Sequence, residues 1–68
     1  MTDWTSVLRA YHGLGLKVYR YPEDVVRGGL SSAYALAKDD LLHRNPATGY
    51  FAITEAGCEM ARAMGFEK

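Results

Sequence analysis

The sequence predicts a small α+β domain: a three-helix core with a small antiparallel sheet and a short C-terminal helix. Three observations carry this. Apolar residues recur at helical spacing near the start, as Trp4, Val7, Leu8 and Tyr11. A Gly28-Gly29 pair separates two short apolar-periodic segments. The run Asn45-Pro46-Ala47-Thr48-Gly49, dense in turn formers, lies between two apolar stretches and reads as the loop of a hairpin.

The chain has 68 residues, room for a single domain spanning 1–68. A domain this small buries only about 60% of the surface its unfolded chain exposes. That leaves little chain for a catalytic cleft and points to a binding module, not an enzyme. Eight basic and eight acidic residues give a formal net charge of zero. A protein held on DNA through phosphates usually carries a basic excess, so any positive surface here must arise by segregation of charge. Cys58 is the one cysteine and cannot make an internal disulfide. No apolar run approaches the ~20 residues of a membrane span, and the first residues lack the pattern of a signal peptide. A cytoplasmic protein with no membrane contact is expected.

The first helix is expected over 3–13, capped by Thr2 or Asp3 and stopped by Gly13 and Gly15. Trp4, Val7, Leu8 and Tyr11 form its inner face. Leu16-Lys17-Val18-Tyr19-Arg20-Tyr21 alternates apolar with basic and predicts a short strand. Its Lys17 and Arg20 read as the wet side of a three-stranded sheet. Pro22-Glu23-Asp24 suits the first turn of a second helix over 22–27. Gly28-Gly29 then makes a sharp turn. The third helix is expected over 31–40, with Ser31 or Ser32 as its cap and Leu30, Ala33, Leu36 and Ala37 facing inward. Residues 41–44 and 50–53 are the hairpin strands. Thr54 caps the last helix, which runs to about Met64 with Met60, Ala61 and Met64 inward and Phe66 folding back onto the core.

Two helices joined by a glycine turn and followed at once by a hairpin make the winged helix-turn-helix arrangement. Two motifs extend the reading. Asp40-Leu41-Leu42-His43-Arg44 follows the third helix, and Tyr50-Phe51-Ala52-Ile53-Thr54-Glu55-Ala56-Gly57 opens the last one. Over 25–64 the chain resembles winged-helix regulators of the MarR/PadR type. In those, a Gly-Leu-Val-x-Arg strand leads into the wing and a Tyr-x-Leu-Thr-x-Ala-Gly segment follows it. Asp40 stands where these regulators often have glycine, and one extra residue separates Tyr50 from the Ile-Thr-Glu-Ala-Gly. Their long flanking helices have no counterpart in these residues, so their dimer geometry and ligand pocket are not carried over. The resemblance implies a prokaryotic or phage DNA-binding transcriptional regulator.

In that reading the helix over 31–40 enters the major groove of double-stranded DNA. Ser31, Ser32, Tyr34, Ala35 and Lys38 are its candidate contacts. Ser31 as a simple cap and Lys38 as a solvated charge are the structural alternatives. Arg27 either grips a phosphate or complements the end of the second helix. Arg44, Asn45 and Thr48 are the wing candidates, although the loop tip carries no Lys or Arg. Asp39 and Asp40 count against DNA. The alternative function is a winged-helix adaptor or inhibitor, because Tyr19, Tyr21, Tyr34 and Tyr50 cannot all fit inside so small a core and exposed tyrosines enrich protein interfaces. Either function admits a homodimer. No cofactor or metal is expected. His12 and His43 lack metal-ligand spacing, and Gly13-x-Gly15 lacks the lysine and hydroxyl residue of a phosphate loop. Cys58 reads as a small interior residue.

Overall fold

The structure, a computed structural model, describes residues 3–66. Four helices, α1 (Trp4–Leu14), α2 (Pro22–Val25), α3 (Leu30–Lys38) and α4 (Glu55–Ala63), pack with one antiparallel hairpin, β1 (Leu42–Arg44) and β2 (Phe51–Ile53). The register pairs Leu42 with Ile53, His43 with Ala52 and Arg44 with Phe51. Among the described residues no helix is long and apolar enough to cross a membrane.

The start of α1 follows from its cap. The Asp3 carboxylate accepts from the Ser6 amide at 3.0 Å and from the Thr5 hydroxyl at 2.8 Å. These bonds hold the Asp3 carboxyl below its ordinary range. Thr2, the other candidate cap, lies outside the described residues. Val7, Leu8 and Tyr11 are fully buried, as their spacing requires. Trp4 departs from the expected inner face: it is 42% exposed and stands at the helix end, beyond the core.

The predicted strand over 16–21 does not form. Leu16 makes a parallel bridge to Ile53, and Arg20 makes an antiparallel bridge to Phe51. Between them Lys17 takes a positive φ of 63° and turns the chain. Leu16 and Arg20 thus flank three residues, whereas their partners Ile53 and Phe51 flank one. No continuous ladder can span that mismatch. The expected third strand is an irregular segment clipped at two points to the free edge of β2. A buried tyrosine secures it. Tyr11 Oη donates to the Arg20 carbonyl at 2.7 Å, and the same carbonyl accepts the Phe51 amide at 2.9 Å. Burial, with a smaller contribution from the negative charge of Asp24, pushes the Tyr11 phenol well above its ordinary value.

The end of α3 explains the aspartate at a glycine-like position. Leu41 N donates to Leu36 O and Asp40 N to Ala37 O, the paired bonds of a Schellman cap. That motif puts Asp40 in the left-handed region, at φ 61°. The chain ends α4 the same way: Phe66 N donates to Ala61 O and Gly65 N to Arg62 O, which turns Phe66 back against the core.

Helix α4 packs through small residues. Gly57, Cys58 and Ala61 are buried, whereas Met60 and Met64, expected to face inward, are exposed. Close approach is the reason. A Cβ on Gly57 would lie 2.1 Å from the Leu41 carbonyl oxygen. The helix is therefore seated on the arc of Gly57, Cys58 and Ala61; Met60 lies to one side of that arc, and Met64 is the C-cap, past the last turn. Thr54 caps α4 as predicted, accepting from the Gly57 amide at 3.0 Å. Its hydroxyl also donates to the Asp40 carbonyl at 2.6 Å.

Two outcomes follow. Asp40→Gly relieves the left-handed strain while leaving the backbone acceptor for Thr54 in place, so urea unfolding should show a gain of about 0.5–1 kcal/mol. The second concerns Tyr11. An unfolded phenol ionises near its ordinary value of 10.0, while the folded one holds its proton to higher pH. The unfolded chain therefore binds fewer protons above that value, and stability falls as pH climbs through it. Urea midpoints from about pH 8 to about pH 11 should fall more steeply for the parent protein than for Tyr11→Phe.

Candidate nucleic-acid interface

The outer face of α3 follows from its inner one. Ala33 and Leu36 are buried, so residues a half-turn away point to solvent. Ser31, Tyr34, Ala35 and Lys38 are exposed and lie on one face by helical spacing. Ser32 is half-buried at the flank of that face. Four of the five helix candidates are thus brought together.

The start of this helix corrects the expected cap. Helix α3 begins at Leu30, one residue earlier than predicted, and its N-cap is Gly29, which offers no side chain. Neither Ser31 nor Ser32 is the cap. The carboxylate of Glu23 performs that work from α2. Its two oxygens accept the Gly28 and Leu30 amides, each at 3.0 Å. Helix amides left without partners favour an acceptor, and a carboxylate also suits the positive end of the helix. Helix α2 ends at Val25, two residues sooner than expected, and Arg27 lies exposed in the turn that Glu23 spans. The sequence signal was an acid just inside a proline-started turn and five residues before a double glycine. Locally that acid reads as a partner for the dipole of α2 alone. The consequence for binding is direct: a negative charge occupies the amides that a phosphate would otherwise use.

At the other end, the hairpin meets α3. The Phe51 ring is fully buried, and the Tyr34 ring meets it edge-on at 5.4 Å and 90°. Arg44, the cross-strand partner of Phe51, places its guanidinium 5.9 Å from the centroid of Tyr34. Tyr34 is half exposed, at 50%. Phe51, Tyr34 and Arg44 therefore stack from core to surface and tie the hairpin to the helix. One turn along, Lys38 shares the face of Tyr34.

Asn45 and Thr48 shape the hairpin loop. Asn45 Oδ1 accepts the Ala47 amide at 2.9 Å, and Thr48 Oγ1 accepts the Tyr50 amide at 3.2 Å. The Asn45 carbonyl also receives the Gly49 amide at 2.7 Å. Both side chains commit an oxygen to the loop that carries them. Lys17 lies on the edge of β2 that Leu16 occupies, opposite β1.

Charge segregates despite the net balance of zero. Residues 14–21 and 41–54 hold Lys17, Arg20 and Arg44 and no aspartate or glutamate. Among the described residues the acids lie on the helices and at their ends, whereas the bases are divided between those two segments and the helical side, where Arg9, Arg27, Lys38 and Arg62 lie. A second feature was not expected. Trp4, Ala35, Leu36, Asp39, Leu41 and Met60 line an open cavity of about 320 Å³ between α1, α3 and α4. Trp4 and Met60, both read as core residues, form its exposed walls.

Compared with known proteins, the chain matches no family, no curated protein and no solved structure.

The Glu23 cap has a measurable consequence. Glu23→Ala strips two amides of their acceptor and should lower stability by about 1 kcal/mol in chemical denaturation. Glu23→Gln keeps one acceptor oxygen and should lose less. Equal stability of all three proteins would show that water replaces the carboxylate without cost.

Proposed function

We propose that this chain is a small winged-helix DNA-binding protein, resembling MarR/PadR-type regulators, and that it acts in transcriptional control. Helix α3 lies in the major groove and the hairpin rests on the flanking backbone. The observation that supports this most is the Tyr34–Arg44 stack beside Lys38. It holds a cation at a defined place against the candidate recognition helix, on a hairpin free of carboxylates. Arg44 and Lys38 supply phosphate contacts, and Tyr34, Ser31 and Ala35 face the bases. The Glu23 carboxylate at the start of α3 moves the electrostatic weight toward Tyr34, Lys38 and the wing. A module of this size makes a small interface, so tight binding needs two copies or a fused partner.

A second reading is favoured by the cavity between Trp4 and Met60. An apolar concavity with an exposed indole suits a protein partner better than a phosphate backbone. In that reading the chain is a winged-helix adaptor or inhibitor that does not bind DNA.

Fluorescence anisotropy on a random-sequence duplex separates the two. DNA binding predicts measurable affinity at about 50 mM salt that falls steeply as salt rises. Lys38→Ala and Arg44→Ala should each weaken it and each reduce the salt slope by about 1. A folded protein that shows no affinity at low salt sinks the DNA reading.

A further inference from the structure

The cavity between α1, α3 and α4 has walls that helical spacing sets. With Ala33 and Leu36 buried, Ala35 and Asp39 fall one turn apart on the flank of α3 that lines the cavity. On α4, Met60 stands beside the buried arc of Gly57, Cys58 and Ala61. Trp4 opens α1 and closes the third side. The buried side chains of Leu36 and Leu41 make the floor. The tryptophan and the methionine, 42% and 39% exposed, thus wall an apolar hollow of about 320 Å³. Of the residues around it only Asp39 carries a charge. Among the described residues the Asp39 carboxylate takes part in no hydrogen bond or ion pair, and its amide alone is engaged, to the Leu36 carbonyl.

Charge decides what this hollow suits. Asp39 is the C-cap of α3, so its carboxylate stands at the negative end of that helix dipole. Asp40 follows it in the chain, and Asp3 precedes Trp4. The bases are placed elsewhere. Lys38 neighbours Asp39 in sequence, but consecutive helical residues diverge by about 100° and do not face each other. Lys38 shares the outer face of α3 with Tyr34. Arg62 is on the other flank of α4, beside Glu55 and Glu59. Arg9 lies over the Phe66 ring, and Arg44 over that of Tyr34. Arg27 stands before α3, at the end away from Asp39. Lys17 and Arg20 lie along the edge of β2 opposite β1. An indole, a thioether and an unpaired carboxylate around one hollow match an ammonium group that carries hydrocarbon. The ring face attracts a cation, the carboxylate and the helix end neutralise it, and the apolar lining takes the hydrocarbon. The volume is at the small end of ligand sites, which run from roughly 300 to 1,000 Å³, so the fitting ligand is a small molecule.

We propose that this cavity binds a small organic cation, an ammonium group with an alkyl or aryl substituent, held between Trp4 and Asp39 with its hydrocarbon against Met60, Leu36 and Leu41. The site rests on neither functional reading above. The test is a titration with hexyltrimethylammonium, with hexanol and hexanoate as neutral and anionic counterparts. Binding is followed in NMR spectra by the Trp4 indole N–H and the Met60 methyl group. Trp4 is the one tryptophan of the chain, so its resonance needs no further assignment. The cation should give saturable shifts with a Kd of about 1 mM, in the range that about ten non-hydrogen atoms allow. Hexanol and hexanoate should bind more weakly. Asp39→Asn keeps the shape without the charge and should weaken the cation about threefold, the modest effect of an exposed carboxylate. Trp4→Leu stays apolar without the ring and should weaken it about fivefold. Lys38→Ala should stay within about twofold, because that side chain points away from the hollow. Circular dichroism establishes that each variant is folded, and the exposed Asp39 keeps the test available should Trp4→Leu fail to fold. No saturable shift of either resonance up to about 20 mM cation overturns the proposal. Equal binding of the three ligands does so too, as does an Asp39→Asn variant that binds like the parent. Shifts confined to residues outside the cavity place the ligand elsewhere, and the proposal fails. If dilution of the protein alone moves the Trp4 and Met60 resonances, the hollow is a contact between copies and the proposal fails as well.

Discussion

The fold turns on one crossing, where the end of α3 meets the start of α4 at the Leu41 carbonyl. The Thr54 amide donates to that carbonyl at 3.2 Å, and the Thr54 hydroxyl donates to the carbonyl of Asp40. Gly57 presses its bare Cα against the same oxygen. Leu41 N closes the cap of α3 onto Leu36 O. Two helix ends and both roots of the hairpin are thus tied within a few residues. An interior is packed closely enough that one methyl group is felt. Any side chain at Gly57 has to displace the backbone on which the hairpin is founded. The placement of the hairpin relative to α3 is therefore set here, at the roots of its two strands.

From that anchor a second set of contacts runs outward. Phe51 is held on both sides, by Arg44 across the hairpin and by Arg20 on the other edge. Burying one such ring stabilises a domain by roughly 1.5–3 kcal/mol, a large share of what a chain this short can gather. Tyr34 caps the ring, and Arg44 lies over Tyr34. This stack converts a core position into a surface geometry. The sheet segments carry bases and no acids, while the acids of the described residues lie on helices or at their ends. Glu23 and Asp3 accept helix amides directly.

Much was legible in the sequence because it is local. Residue spacing placed α1 and its buried Val7, Leu8 and Tyr11. The glycine pair placed the turn before α3, and the Asn-Pro-Ala-Thr-Gly run placed the hairpin. Thr54 was recognisable as a cap, and Cys58 as an interior residue. These depend on backbone preferences and on which side of one element is apolar, and a few neighbouring residues decide both.

What only the tertiary structure decided depends on residues distant in the chain. The strand expected over 16–21 gave way because the segment turns at Lys17 and its bridges to Ile53 and Phe51 set three residues against one. The cap of α3 came from Glu23, because a carboxylate two-handed on the Gly28 and Leu30 amides replaces any cap a serine could make. Met60 and Met64 are exposed because α4 seats on Gly57, Cys58 and Ala61, which leaves Met60 beside that arc and Met64 at the C-cap. The pairing of Tyr34 with Arg44, and of Tyr21 with Tyr50, joins side chains whose separation in sequence carries no signal. By itself, then, the sequence determined which elements this protein has, since periodicity and turn chemistry are properties of short segments. Which side chains share a surface was decided by close packing at Leu41 and Phe51, which only the assembled chain possesses.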